Sequence, residues 1–380
     1  TTYMNVCVIG SGGREHAICF KLKQSVKLNN LFCMPGNAGT AMICQNLDVD
    51  ILNFDEIYKT LKKYSIELVV VGPEIPLVAG IVDYLENKGI KVFGPSMKAS
   101  QLEGSKIFMK NFCKKFNIPT AKYFEVKSLT EAKKVLSEFN TPIVVKSDGL
   151  AAGKGVTICN SIDQALDDIS EIMSGKFQSS NKVIIEEFLK GEEASYFVIT
   201  DGKNFQQIGT AQDHKRVGEN DTGLNTGGMG AYSPSLIINK KIEEKILDKI
   251  IQPTINGMKE LGHPYTGILY AGLMIHEDEP KLIEYNIRFG DPECQALMMR
   301  LKTDLLDLIN FTINQKLNEI KINWSENPSI TVVAASQGYP GKFKKDIEIN
   351  NLPKDTENLN EQLFHAGTYE KNGKIFSNGG

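Results

Sequence analysis

Asn5-Val6-Cys7-Val8-Ile9-Gly10-Ser11-Gly12-Gly13-Arg14-Glu15-His16 reads as an apolar strand, a glycine-rich break and the start of a helix. The alternation continues outward from it. Asn5–Ile9, Leu68–Val71 and Lys91–Phe93 are expected strands, and Glu15–Lys23 and Leu77–Asn87 expected helices. This is the pattern of β-α-β units and a parallel sheet. Ligands of such sheets bind outside the carboxyl ends of the strands, so Gly10–Arg14, Gly36–Gly39 and Gly72–Glu74 are expected to line one crevice. Free amides at the helix start and the Arg14 side chain suit an anion there. It is not a dinucleotide fingerprint, because the third glycine would fall at Glu15, a charged residue unsuited to close helix–strand packing. The plainer alternative is a structural turn without a ligand.

The chain has 380 residues, two to three times a typical domain of about 150, so several domains are expected. With 41% hydrophobic and 23% charged residues it is an ordinary globular composition, and a net charge of -3 excludes a chain-wide cationic surface for nucleic acid or anionic lipid. Glycine, at 33 residues, is the outlier. The seven cysteines never space as C-x-x-C, and the five histidines form no H-x-x-x-H pair, so neither a disulfide framework nor a zinc site is indicated. No basic leader and no run of about 18 apolar residues occurs, which leads to the expectation of a cytoplasmic protein without a membrane or nucleic-acid partner.

From Glu103 to Phe116 a helical period returns, and Asn117-Ile118-Pro119-Thr120 breaks it as a linker. A second unit follows: strand Ile143–Lys146, loop Ser147–Gly155, strand Val156–Cys159, a helix over 161–173 capped by Ser161, and strand Val183–Phe188. The loop holds Gly149, Gly153, Lys154 and Gly155 and suits a flap over polyphosphate. Its spacing is not that of a Walker loop, since Gly155 stands where Ser or Thr should hold magnesium. Lys146 inside an apolar strand calls for an anionic partner. Glu186-Glu187-Phe188-Leu189, followed by Gly191-Glu192-Glu193, places carboxylates just past a buried strand, and such a segment can offer main-chain groups to a purine edge and a carboxylate to ribose; a solvated acidic turn is the alternative.

Gly267–Ile275 and Lys281–Ile287 flank the acidic turn Glu277-Asp278-Glu279 and read as a hairpin. Period-two alternation puts Glu284 and Asn286 on one face, with Ile283, Tyr285 and Ile287 on the other. Two oxygen donors so spaced suit a hard cation bound jointly with phosphates, and the following Arg288 can neutralise a transferring phosphoryl group. Asp213-His214-Lys215-Arg216, ahead of the glycine-rich Thr226–Gly230, joins a cationic cluster to free amides. A polar edge strand and a solvated charge run are the alternatives.

The strings GSGGREHA (10–17), PGNAGT (35–40), VGPEIP (71–76), QLEGSK (101–106), KSDGLAAGKGV (146–156), QDHKRVG (212–218), NTGGMGAYSP (225–234) and IEYNIRFGDPE (283–293) resemble, in order, those of the phosphoribosylamine–glycine ligases, ATP-grasp enzymes of purine biosynthesis. The resemblance implies an α/β ATP-grasp ligase with a Rossmann-like parallel-sheet domain (1–104), a connecting helix and linker (105–121), a small ATP lid (122–192), a central α+β catalytic domain (193–326) and a C-terminal domain (327–380). The family continues past the Asn-Gly-Gly at 378–380, so that last domain is expected to be partial. It also implies ATP contacts from Lys106, Lys146, the glycine loop with Lys154, Glu186–Leu189 and Glu193, and Mg2+ or Mn2+ at Glu284 and Asn286. The substrate set is Gly10, Gly12, Gly13, Arg14, Gly36, Asn37, Pro73, Glu74, Gly228 and Met229, with Asp213, Lys215 and Arg288 beside the reacting carboxylate. Many ATP-grasp enzymes carry a further carboxylate ligand on the preceding hairpin strand, and Ile268–Ile275 has none.

The activity implied is ligation of glycine to 5-phosphoribosylamine with ATP, forming a C–N bond through a glycyl phosphate, by a monomer. Another ATP-grasp carboxylate–amine ligase is one alternative; a bicarbonate-activating carboxylase subunit is another, without a Met-Lys-Met biotin signal in this chain. An ATP-binding module without turnover and a dinucleotide oxidoreductase complete the alternatives.

Overall fold

A computed structural model describes residues 3–150, 155–177, 181–218, 222–353 and 360–380, with the backbone alone at 214–218 and 222–227. The first sheet has five strands, β1 (Met4–Gly10), β2 (Leu28–Pro35), β3 (Gln45–Asn46), β4 (Leu68–Val71) and β5 (Lys91–Phe93), in the order β3-β2-β1-β4-β5 and all parallel. Both faces of β1 are covered. Cys7 and Ile9 enter one apolar cluster, with the helices Phe54–Lys63 and Ile81–Asn87, while Val6 and Val8 enter another, with the helix Gly13–Lys23. Two-sided burial explains why β1 reads as an unbroken apolar run. Since β2 and β4 flank β1, the breaks after these three strands do meet at one edge, where Gly36 N–H donates to Gly10 O (3.1 Å) and Gly72 N–H to Ile9 O (3.0 Å).

The structure departs from the sequence expectations at two helices. Leu77–Asn87 is two pieces, Glu74–Val78 and Ile81–Asn87, because Gly80 takes φ +94° and turns the chain between them. Glu103–Phe116 likewise divides at Ser105, whose extended backbone ends one turn of helix and whose hydroxyl caps Lys106–Lys115 by accepting from Phe108 N–H (3.1 Å).

A four-stranded antiparallel sheet follows, β6 (Tyr123–Val126), β7 (Ile143–Ser147), β8 (Val156–Cys159) and β9 (Val183–Glu187), ordered β6-β9-β7-β8. The helices Leu129–Leu136 and Ile162–Met173 close its own small core, the second capped by Ser161 as expected. The largest sheet contains β10 (Glu192–Asp201), β11 (Phe205–Gly218), β12 (Thr222–Ser233), β13 (Thr266–His276), β14 (Glu279–Asn286) and β15 (Ser329–Val332), ordered β14-β13-β10-β11-β12-β15 and antiparallel throughout. The β13–β14 hairpin turns at Glu277 and Asp278, both at positive φ. A last hairpin pairs β16 (Thr368–Lys371) with β17 (Lys374–Ser377). Among the described residues no helix is long and apolar enough to cross a membrane.

Candidate active site

The crevice at the end of the parallel sheet is built around a buried carboxylate. Glu15 fills the space that Gly10 and Gly72 leave empty: a Cβ on either would lie 2.3 Å or 2.2 Å from its side chain. The expectation that an acid could not pack closely here is corrected, since two missing side chains make the room and two donors hold the charge. Gly12 N–H donates to Glu15 Oε1 (2.9 Å) and Arg14 Nε to Oε2. The Gly12 amide is therefore spent inside the protein and not free for an anion. Arg14 reaches across to donate to Phe289 O (3.1 Å). Burial opposes its charge, but Glu15, Asp291 and Glu74 outweigh that and hold it firmly protonated.

Asn37 is a knot. Its amide donates to Ser11 O (2.9 Å) and His365 O (2.8 Å), and its carbonyl oxygen accepts from Gly39 and Thr40 N–H. Gly36, at φ +76°, keeps clear of Asn46. Pro73 precedes the helix that starts at Glu74. Gly228 lies against Pro292, and Met229 O accepts from Val333 N–H (2.9 Å) at the seam with β15. Gly10, Gly12, Gly13, Arg14, Gly36, Asn37, Pro73 and Glu74 thus sit together, with Gly13 facing Gln295 and Gly12 facing Asp291 from the large-sheet half of the molecule.

The second cluster lies where β7 and β9 meet the helix Lys106–Lys115. Lys146 does have the anionic partner its burial demands, but the protein supplies it: Nζ is 2.9 Å from Glu186 Oε2, on the neighbouring strand. Glu186 Oε1 is 2.9 Å from Lys110 Nζ, so one buried carboxylate bridges two lysines. Burial opposes the charge on Glu186; Lys146 and Lys110 outweigh it and hold the carboxyl below its usual range. Lys106 donates to Ser147 O (2.6 Å). Its ammonium is pulled down by burial and by Lys146, with Glu284, Asp148 and Glu186 acting the other way, which places all five groups in one field. Asp148 accepts from Ile107 N–H (3.2 Å) and Ser105 Oγ (3.3 Å), a carboxylate at the positive end of that helix.

Gly149 takes φ +85°, and Gly155 O accepts from Ser147 N–H (2.8 Å), closing the base of the loop. Gly153 and Lys154 lie outside the described residues, as does the side chain of Lys215. Glu187 accepts from Lys122 N–H (2.9 Å), Phe188 is exposed, Leu189 half-buried, and Glu193 exposed on β10. Asp213 is half-buried on β11, opposite Ala231.

On β14 the expected alternation is corrected by a bulge: Gly272 pairs with Glu284 and Leu273 with Leu282, leaving Ile283 as the extra residue. The buried face is therefore Leu282, Tyr285 and Ile287, with Ile283 only half-buried. Glu284 is exposed and Asn286 buried, and two oxygen donors without a third carboxylate fit a cation that also takes phosphate oxygens. Among the described residues no group of three metal-ligating side chains occurs. Arg288 is clamped. Nε lies 3.2 Å from Glu74 Oε2 and NH2 3.1 Å from Glu103 Oε2, while Glu103 Oε1 accepts from Ile287 N–H (2.8 Å). Burial pushes the Glu103 carboxyl up to about 7, against Arg288.

Three consecutive segments match family descriptions: 4–103 the phosphoribosylglycinamide synthetase N domain, 104–294 its ATP-grasp (A) domain and 329–380 its C domain. The chain belongs to the phosphoribosylglycinamide synthetase family. A phosphoribosylamine–glycine ligase of Brucella melitensis is 49% identical over 99% of this chain and 88% of its own length. The crystal structure of a phosphoribosylamine–glycine ligase from Thermotoga maritima superposes with TM-score 0.86 at 33% identity, covering 99% of this chain and 90% of that one. The biotin carboxylase domain of Hydrogenobacter thermophilus 2-oxoglutarate carboxylase, solved with ADP, its magnesium salt and bicarbonate, shares the fold at TM-score 0.72 and 18% identity, over 99% of this chain and 85% of that one.

The two clusters also contain Glu103, Lys110, Asp148, Asp291 and Gln295, to which no site role is assigned from the sequence. Glu103 and Lys110 stand within a helical period, which carries no sign of their partners. Asp148 stood inside the loop string, and its neighbours Ser105 and Ile107 lie 41 to 43 residues away in sequence.

Proposed function

We propose that this chain is a carbon–nitrogen ligase that joins glycine to 5-phosphoribosylamine with ATP, giving glycinamide ribonucleotide, ADP and phosphate in purine biosynthesis. One observation carries the reading: 49% identity over 99% of the chain to a protein named for that ligation, with all three family domains in order.

The γ-phosphoryl group passes to a glycine carboxylate oxygen, and the sugar amine then attacks the acyl carbon and releases phosphate. No side-chain nucleophile is needed, so the protein's work is positioning and charge neutralisation. Lys106 and Lys146 hold phosphates; Gly149–Gly155, with Lys154, covers them and excludes water from the mixed anhydride. The chain past Glu186, with Phe188 exposed, meets adenine, and Glu193 the ribose. Arg288, with Asp213 and Lys215, faces the reacting carboxylate, its clamp leaving N–H groups on NH1 and NH2 for it. Glu284 and Asn286 would hold Mg2+ or Mn2+, which offsets charge on the phosphates when bound. The crevice of Gly10–Arg14, Gly36, Asn37, Pro73 and Glu74, with Gly228 and Met229, takes the phosphoribosylamine. We read 1–104, 122–192, 193–326 and 327–380 as the domains, and the whole as a cytoplasmic monomer acting on small molecules.

Phosphate release from ATP, with phosphoribosylamine made in situ, tests the reading. It is expected to require glycine and to leave ADP; glycine-independent phosphate, or AMP with pyrophosphate, overturns it.

A further inference from the structure

Lys110 is the most completely enclosed charge in the molecule's second cluster. Its side chain is 1% exposed, and its ammonium meets Glu186 (2.9 Å), Thr120 Oγ1 (2.8 Å) and Ala121 O (3.4 Å). One ion pair and two hydrogen bonds inside the protein commit Lys110 to its neighbours and turn it away from any ligand. Lys146 is different: the acceptor found for it among the described residues is Glu186 alone, and it borders the phosphate loop.

The two lysines share one carboxylate. Two ammonium groups and one carboxylate leave one net positive charge; without Lys110 the remaining pair is neutral, and Glu186 would bind Lys146 with its whole charge in a site sheltered from water. A phosphate can draw Lys146 away only if something else keeps the buried Glu186 neutralised. Lys110 is placed for that. It is anchored on the helix Lys106–Lys115, and Thr120, its other partner, bonds to Leu282 O (2.7 Å) on the strand of Glu284.

We propose that Lys110 is a positioning residue for nucleotide binding, which neutralises Glu186 so that Lys146 can exchange that carboxylate for nucleotide phosphate. The inference rests on Lys146 being a phosphate ligand. A merely structural Lys110 would affect stability and leave nucleotide affinity alone.

Calorimetric binding of ADP with Mg2+ to the full chain decides it, using Lys110→Met, Lys146→Met and the double variant Lys110→Met/Glu186→Gln. Lys110→Met is expected to bind ADP at least about tenfold more weakly. The double variant removes both buried charges and keeps the main chain of position 186, so it should bind ADP measurably more tightly than Lys110→Met. Wild-type affinity in Lys110→Met, with Lys146→Met weakened, overturns the role of Lys110 alone. Wild-type affinity in Lys146→Met overturns the phosphate reading and this inference with it. Where Lys110→Met does not fold, the double variant is decisive, since affinity as poor as that of Lys146→Met overturns the proposal.

Discussion

Glu103 carries two hydrogen bonds at once, one to the backbone of Ile287 and one to the guanidinium of Arg288. Glu103→Gln keeps an acceptor for Ile287 but removes the charge that holds Arg288, leaving Glu74 as its acid partner. Turnover is expected to fall at least about tenfold with the KM for ATP unchanged, measured by glycine-dependent phosphate release. Glu284→Ala should abolish Mg2+-dependent turnover in a protein that still melts cooperatively, because the residue is exposed and bears no core contact. Unchanged activity would remove it from the site. The strand that carries Glu284 and Asn286 was legible from its apolar run and the acidic turn before it. The bulge at Ile283 was not, because one extra residue is a property of the pairing with β13 and leaves no mark in the string itself.

At the scale of elements, the helix Lys106–Lys115 owes its start to groups from two places. Ser105 is a local cap inside the stretch expected as one helix; Asp148 arrives from the end of β7. Asp148→Ala should cost about 1 kcal/mol in denaturant unfolding and, by releasing β7 from that helix, speed limited proteolysis between 148 and 183. The crevice has a steric counterpart. Gly72→Ala would put a Cβ 2.2 Å from Glu15 Oε2, on a side chain that Gly12 N–H and Arg14 hold in place, and a loss of about 1–3 kcal/mol is expected from the unfolding midpoint. Strands buried on both faces, such as β1 and β4, were legible because a short, β-branched apolar run that ends at a glycine is too short for a helix and fits a buried strand. The short β3, paired to β2 through two residues, was not.

Across the whole molecule, the C-terminal segment is pinned to the first helix by His365 N–H donating to His16 Nδ1 (2.8 Å), which fixes the His16 proton on Nε2. Burial, helped by His365, pushes the His16 pKa down to about 4 from the usual 6.5. The unfolded chain therefore binds the extra proton first. Stability should be full above about pH 6.5 and decline as pH falls toward 4, by up to about 3 kcal/mol. His16→Asn, which keeps an acceptor but no titrating ring, should flatten that limb in urea titrations. The sequence by itself determined the parallel sheet, its three glycine breaks, the hairpin with Glu284 and Asn286 and the family, because each depends on residues close in the chain or on an ordered series of strings. The tertiary structure alone decided which charges are already spent. Glu15 in the space of two glycines, Glu186 between two lysines, and Arg288 between Glu74 and Glu103 are contacts across strands and domains, where burial makes an unpaired charge costly and the partner is chosen by the fold.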